Sequence, residues 1–249
     1  MNPRKLKIEI LFPVLNEHKR LRRGIETTVR YLRTHPRLTE QADFLLTIID
    51  NGSEDDTPEI GRSLADTYDE VRFKRIEERG VGIAFYTGVK ESTADVIGQM
   101  DIDLSTDIRN LSRVVKILSA HPEIDYINGT RFSRRSQTVG RKWYRMITSM
   151  GMLFLLKTVF FMRATDALCG FTWVRREAAG KLVQVTRPER GWFYMVEFLL
   201  RAERMGLKIV DLPVVFTEDY DTTVHVGSTI VNYLKNIAKL RVALWQETF

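Results

Sequence analysis

The chain has 249 residues, 44% hydrophobic and 28% charged, which excludes a disordered chain and suits one large α/β domain or two small halves around one core. Its formal net charge of +6 either points to an anionic partner (phosphate, nucleotide, nucleic acid or an anionic membrane surface) or simply aids solubility. One cysteine, Cys169, excludes an internal disulfide and a cysteine-based zinc site.

Residues 8–12 are a short apolar, β-prone run that reads as a first strand, ended by Pro13. Residues 17–34 carry Leu21, Ile25, Val29 and Leu32 at helical spacing. Residues 44–49 are almost continuously apolar, as in a buried parallel strand. A turn cluster, Asp50-Asn51-Gly52-Ser53, follows. Asp56 or Thr57 can then cap a helix with Pro58 in its first turn. A strand over 71–76, a helix over 82–90 and a strand over 96–100 come next. Four strand–helix alternations predict a mostly parallel, doubly wound sheet flanked by helices. Beyond them, 125–131 reads as a strand, and 146–161 as an apolar helical stretch. A helix over 192–205, an edge strand over 208–216 containing Pro213, and a final amphipathic helix over 226–245 complete the chain.

The sequence predicts a single domain over 1–249, with two halves, 1–130 and 131–249. The polar, basic residues 1–7 precede no long apolar run, so no secretory signal is expected. The most apolar stretch, 150–162, is interrupted by Lys157 and falls short of the ~20 residues that a membrane-spanning helix needs. With one thiol, the expectation is a cytoplasmic protein, which lies on the cytoplasmic face if a membrane matters. Nothing in the sequence speaks to oligomeric state.

In open α/β sheets ligands bind at the carboxyl ends of the strands. Three polar clusters fall there: Asn16-Glu17, Asp50-Asn51 and Asp101-Ile102-Asp103. Asp101 and Asp103, one residue apart after an apolar strand, can hold Mg²⁺ or Mn²⁺ together with substrate phosphates. The alternative is a pair of solvated turn residues. Asp50 can accept a base N–H of a nucleotide, or cap its own turn. Pro13 closes the first strand, and Asn16 and Glu17 can meet base or ribose, unless Asn16 only caps the next helix. Gly80 and Gly82 let backbone approach a ligand closely. The spacing is not that of a dinucleotide fingerprint, and no phosphate loop or H-E-x-x-H motif is present.

Residues 131–145 carry Arg131, Arg134, Arg135, Arg141, Lys142 and Arg145 with no acidic residue between them. Guanidinium groups pair with phosphate oxygens, and a basic run followed by an apolar helix is the pattern of interfacial membrane helices. A solvated loop before an ordinary core helix is the competing reading. No nucleic-acid recognition motif accompanies the charge, so no nucleic-acid partner is expected.

Taken together, these motifs resemble the family 2 glycosyltransferases of GT-A fold, and within them the dolichyl- or polyprenyl-phosphate sugar synthases. Phe12-Pro13-Val14-Leu15-Asn16-Glu17 resembles the opening motif, and Asp50-Asn51-Gly52-Ser53 the second. Gly80, Gly82 and Gly88, then Asp101-Ile102-Asp103, resemble the third motif and the metal motif. Gly129-Thr130-Arg131 is similar to an element whose arginine meets acceptor phosphate, and Arg145 falls where a second phosphate arginine is found. Asp166-Ala167-Leu168-Cys169-Gly170-Phe171 resembles an element on the acceptor side, and the stretch from Glu197 to Phe216 the closing helix and strand, including Leu212-Pro213-Val214. Asn51 stands in place of the usual second aspartate, Val81 of a lysine, and Met195 of an acidic or amide residue. Asp219 and residues 224–229 replace a basic residue and a Gly-x-Ser-Lys stretch.

The resemblance implies an inverting, metal-dependent hexosyltransferase with a nucleotide-sugar donor, GDP-mannose or UDP-glucose, and a polyprenyl-phosphate acceptor at the membrane surface. It assigns Pro13, Asn16, Glu17, Asp50, Asn51, Gly80, Gly82 and Asp101 to the nucleotide. Asp103 joins Asp101 on the metal, and Arg131 and Arg145 take the acceptor phosphate. An anionic acceptor needs no strong base. Were the acceptor a sugar hydroxyl instead, Asp166 and Glu197 are the candidate bases. Transfer to a non-lipid glycan or small molecule, and a catalytically silent nucleotide-binding module, are the alternatives.

Overall fold

The computed structural model describes residues 4–218 and 226–247, apart from the side chains of 226–230. Asp219, Val224 and His225 lie outside the described residues, as do the side chains of 226–229. Among the described residues the chain runs β1 (Leu6–Val14), α1 (Leu21–Thr34), α2 (Pro36–Thr39), β2 (Ala42–Asp50), α3 (Thr57–Thr67), β3 (Val71–Arg75), α4 (Val81–Glu91), β4 (Val96–Gln99) and α5 (Asn110–Ala120). It continues with β5 (Tyr126–Thr130), β6 (Gln137–Val139), α6 (Trp143–Phe160), β7 (Thr172–Arg175), α7 (Arg176–Val185), α8 (Phe193–Arg204), β8 (Ile209–Pro213), β9 (Val215–Thr217) and α9 (Val226–Gln246).

The main sheet has seven strands in the order β3-β2-β1-β4-β7-β5-β8. It is mostly parallel, as the alternation of elements requires, but β7 runs antiparallel to both β4 and β5. Alternation along β1 explains the two packed faces. Ile8, Ile10, Phe12 and Val14 enter one core with Leu21, Ile25, Leu64 and Leu111, from α1, α3 and α5. Leu11 points the other way, into a core with Ala84, Phe85, Leu182 and Phe198, from α4, α7 and α8. Helices thus cover both faces of the sheet.

Several expectations change in detail. Pro13 does not end β1, which continues to Val14. Lys7 and Leu11 present their carbonyls to the β4 side, accepting from Asp95 and Met100. Strand alternation puts the missing N–H of Pro13 on that side too, beyond the last residue of β4, so no ladder bond is lost. The edge strand expected over 208–216 breaks at Pro213. Its first part, β8, closes the main sheet, and its second part, β9, pairs with β6 in a separate two-stranded sheet. Asp56 stands at the N-cap of α3 but its side chain makes no cap bond; the Thr57 N–H donates instead to Asp55 Oδ1 at 3.0 Å.

Candidate active site

The ends of β1 and β2 lie side by side, with Val14 in register with Asp50, and β4 flanks β1 on the other side. Asn16 is left-handed, at φ 55°, a conformation that asparagine tolerates better than most residues. It does not cap α1. Its N–H donates to Ser53 Oγ (2.8 Å), and its Oδ1 accepts from the Glu54 N–H (2.9 Å), tying the first strand-end loop to the second. The Glu17 N–H donates to Thr57 Oγ1, and its carboxylate accepts from Arg20 at 3.1 Å.

Asp50 is fully buried. Its Oδ1 accepts from the Ser53 N–H and its Oδ2 from Arg75, each at 3.0 Å. The turn-capping reading of Asp50 therefore describes one of its oxygens, and the other is held by an arginine that the sequence reading did not single out. Asn51 is also buried, and it uses both ends of its amide. Nδ2 donates to the Val14 carbonyl (2.9 Å), and Oδ1 accepts from the Gly80 N–H (3.2 Å). The amide donates and accepts at once, which an ionised carboxylate cannot do.

The glycines at 80 and 82 serve the chain's own packing. Gly80 has φ 143°, and a Cβ on it would lie 2.5 Å from the Arg190 backbone; one on Gly82 would lie 2.2 Å from the Glu189 carbonyl. What approaches closely here is the segment leading into α8.

Asp101 and Asp103 follow β4 as expected. Burial is the main force pushing the Asp101 carboxyl up, to about 7; Asp103 adds to the shift, Arg131 opposes it and Glu17 adds again. Asp103 Oδ1 accepts from the Ser105 N–H at 2.8 Å. Gly170 lies directly against the Asp101 carboxylate. Among the described residues no group of three or more His, Cys, Asp or Glu side chains converges as a metal cage. Two adjacent carboxylates, one of them held against its charge, nevertheless fit a divalent cation that draws its remaining oxygens from water and phosphate.

The arginine side is built from the other end of the sheet. Arg131 follows β5, and its side chain is only 8% exposed. Its Nε and Nη2 make a bidentate pair with the fully buried Asp166 at 2.8 and 3.0 Å, and its backbone N–H adds a third bond at 3.1 Å. Asp166 Oδ1 accepts in addition from the Leu168 N–H. Both oxygens of Asp166, a candidate base, are thus engaged by Arg131 and the following turn, and Arg131 is held firmly protonated. Glu197, the other candidate base, also has an arginine partner. It ion-pairs with Arg201 at 2.7 Å, and Arg201 reaches on to Glu247, in a network joining α8 to the end of α9.

Arg145, in the first turn of α6, pairs with Glu218 at 2.5 Å. Arg141, just before α6, lies 3.6 Å from the other oxygen of Glu218. The Arg131 and Arg141 guanidinium carbons sit 5.5 and 5.7 Å from the Phe132 ring centroid, so the arginines converge around one aromatic side chain. The backbone ties this cluster to the carboxylate edge, because the Thr217 N–H donates to the Ser105 carbonyl, two residues past Asp103. Sequence reasoning missed Glu218, which lies 73 residues from its partner Arg145, with no local signal to connect them. It left Arg141 within the basic run without a role of its own.

Comparison with known proteins now decides the family. The family model "Glycosyl transferase family 2" matches residues 9–183. The chain belongs to glycosyl transferase family 2. The matched region takes in both strand-end loops, Asp101, Asp103, Arg131, Arg145 and Asp166. Among relatives of this family 2 chain, glycosyltransferase AglD of Haloferax volcanii is 27% identical over 98% of the chain, which spans 38% of that protein. Dolichyl-phosphate beta-glucosyltransferase of Mus musculus is 28% identical over 85% of the chain, which spans 68% of it. Among solved structures, glucosyl-3-phosphoglycerate synthase from Mycobacterium tuberculosis, in complex with Mn²⁺, UDP and glucosyl-3-phosphoglycerate, superposes with a TM-score of 0.67. That match covers 96% of this chain and 80% of the other at 16% identity, a likeness of fold.

Proposed function

We propose that this family 2 chain transfers a hexose from a nucleotide sugar, UDP-glucose or GDP-mannose, to the phosphate of a polyprenyl phosphate, with inversion at the anomeric carbon. The observation that carries the reading is that one short segment touches both sides: Asp166 clamps Arg131, and Gly170, four residues on, lies against the Asp101 carboxylate. In this reading residues 1–130 serve the donor and 131–249 the acceptor.

Asp101 and Asp103 would hold Mg²⁺ or Mn²⁺, which supplies positive charge for the departing nucleoside diphosphate. The loops carrying Asn16, Glu17, Asp50 and Asn51 form the wall against which the nucleotide is placed. Arg131 and Arg145 orient the acceptor phosphate. One of its oxygens forms a bond to the anomeric carbon while the bond from that carbon to the donor diphosphate breaks, so a single displacement inverts the centre. No proton must be removed, which suits a site where both candidate bases, Asp166 and Glu197, are committed to arginines.

The lipid part of the reading is supported by α6. Trp143, Met146, Ile147, Met150 and Phe154 form one exposed apolar stripe, and Arg145 lies in the same helix. Trp143 and Phe154 are 71% and 73% exposed. No helix among the described residues is long and apolar enough to cross a membrane. We place this stripe on the cytoplasmic membrane surface, next to the phosphate site.

The reading is tested by incubating the protein with UDP-glucose or GDP-mannose and Mg²⁺ or Mn²⁺, with and without polyprenyl phosphate in detergent. A glycosyl-phosphate lipid whose formation needs metal and Arg131 supports it. Lipid transfer at the wild-type rate in Arg131→Ala overturns the acceptor assignment.

A further inference from the structure

Glu218 follows β9 and its carboxylate is buried among arginines, with 8% of the side chain exposed. Its Oε1 accepts from Arg145. Its Oε2 stands 3.6 Å from Arg141, too far for a hydrogen bond, and has no hydrogen-bond partner among the described residues. The Nε donors of Arg141 and Arg145 are likewise buried and unpartnered there. Arg141 itself is 90% buried, and the charges acting on it include Arg131, Glu218, Asp166 and Arg145. Buried guanidinium donors without acceptors are costly. Here they sit around an anion that uses one oxygen well and one badly. A carboxylate offers two oxygens in a plane; a phosphate monoester offers three, spread tetrahedrally, with up to twice the charge.

We infer that Glu218 is a built-in counter-anion for Arg141 and Arg145, and that the phosphate monoester group of the acceptor replaces it on binding, with Arg141 as a third phosphate-binding arginine. The inference rests on the acceptor reading above and deepens it. With no acceptor present, Glu218 keeps two buried guanidinium groups compensated. When a phosphate dianion arrives, the Glu218 side chain swings out by rotation about its own bonds, and the freed Arg145 Nη1 and the unpartnered Nε donors turn to phosphate oxygens. Glu218 therefore weakens anion binding in general and favours ligands that bring more charge and more acceptors than a carboxylate.

The test is calorimetric titration of the wild type, Glu218→Gln and Glu218→Asp with inorganic phosphate. Parallel arms use a short-chain polyprenyl phosphate in detergent and the water-soluble monoester 3-phosphoglycerate. Glu218→Gln removes the competing charge and is expected to tighten phosphate binding about tenfold, the factor that about 1.4 kcal/mol corresponds to. Glu218→Asp, one methylene shorter, is expected to tighten it less. Arg141→Gln is expected to weaken phosphate binding and to abolish the gain from Glu218→Gln when the two are combined. A merely structural Glu218 would show the opposite sign, with looser binding in every variant. Unchanged or weaker phosphate binding in Glu218→Gln and Glu218→Asp overturns the inference. The two monoester arms show whether the gain extends to the lipid alone or to any phosphate monoester. Failure of the acceptor reading is seen separately, as wild-type lipid transfer in Arg131→Ala.

Discussion

Gly170 and Asp101 touch so closely that a Cβ on the glycine would lie 2.4 Å from Oδ2 and 2.5 Å from Oδ1 of the carboxylate. The loop after Asp166 thus forms one wall around the Asp101 carboxylate. Gly170→Ala must push Asp101 aside without unfolding the sheet. Metal-dependent turnover of the nucleotide sugar is expected to fall about 100-fold, the usual cost of misplacing a group by about 1 Å, with an unchanged far-ultraviolet circular dichroism spectrum. Full activity in this variant would show that Asp101 is not required where it lies.

Arg131 and Asp166 are expected to behave as a structural couple. Asp166→Ala leaves a buried guanidinium uncompensated and should cost about 3–5 kcal/mol in urea denaturation. Arg131→Lys loses the planar fork that the pair uses and should not preserve acceptor binding. An Asp166→Ala protein as stable as the wild type but inactive would return Asp166 to the role of base.

Asn51→Asp tests whether both ends of the buried amide are needed. Here it removes the Nδ2 donor from the Val14 carbonyl and sets a carboxylate oxygen against it. The expected loss is about 1–3 kcal/mol, read from the urea midpoint. Asn51→Asp without a stability cost would show that the asparagine has no structural role of this kind.

Asp55 gives the fold a predictable response to acid. Burial raises its carboxyl, but hydrogen bonds from Thr57 and His18 outweigh that and hold it down at about 2. A carboxylate lowered on folding contributes stability above its unfolded value, ~3.9, and that contribution is lost as pH falls through about 2. Asp55→Asn is therefore expected to cost about 1 kcal/mol at neutral pH, as for loss of a helix cap. The gap from the wild type should shrink as pH drops from 4 to about 2. Thermal melts across that range check it.

The exposed stripe of α6 should drive binding to lipid. Phe154→Asp, alone or with Trp143→Ala, is expected to weaken co-sedimentation with anionic vesicles by roughly tenfold or more, given ~1.5–3 kcal/mol for each large apolar side chain withdrawn. Core stability should not change, because both side chains face outward. Equal sedimentation of wild type and variants would remove the membrane from the proposal.

How much of this was legible in the sequence depends on how far apart the partners lie along the chain. The parallel half of the sheet follows from local hydropathy, since β1, β2 and β4 are largely apolar and β3, Val71–Arg75, alternates apolar and basic residues. The position of Asp101 and Asp103 at a strand end follows with it. β7, Thr172–Arg175, runs straight into α7 at Arg176 with no turn residues to set it off as a strand, and with it went the antiparallel strand that follows Gly170. The basic run from Arg131 to Arg145 is plain in the sequence, but the sequence treats its arginines alike. Only the folded chain separates them, giving Arg131 to Asp166 and sharing Arg141 and Arg145 with Glu218. The reason is physical. Periodicity and capping are set by neighbours a few residues away, whereas a buried charge takes its partner from whatever the sheet order carries past it. By itself the sequence determined the parallel half of the sheet and the carboxylates that follow its strands. The tertiary structure decided which buried charges pair, Asp166 with Arg131, and Glu218 with Arg145 and Arg141.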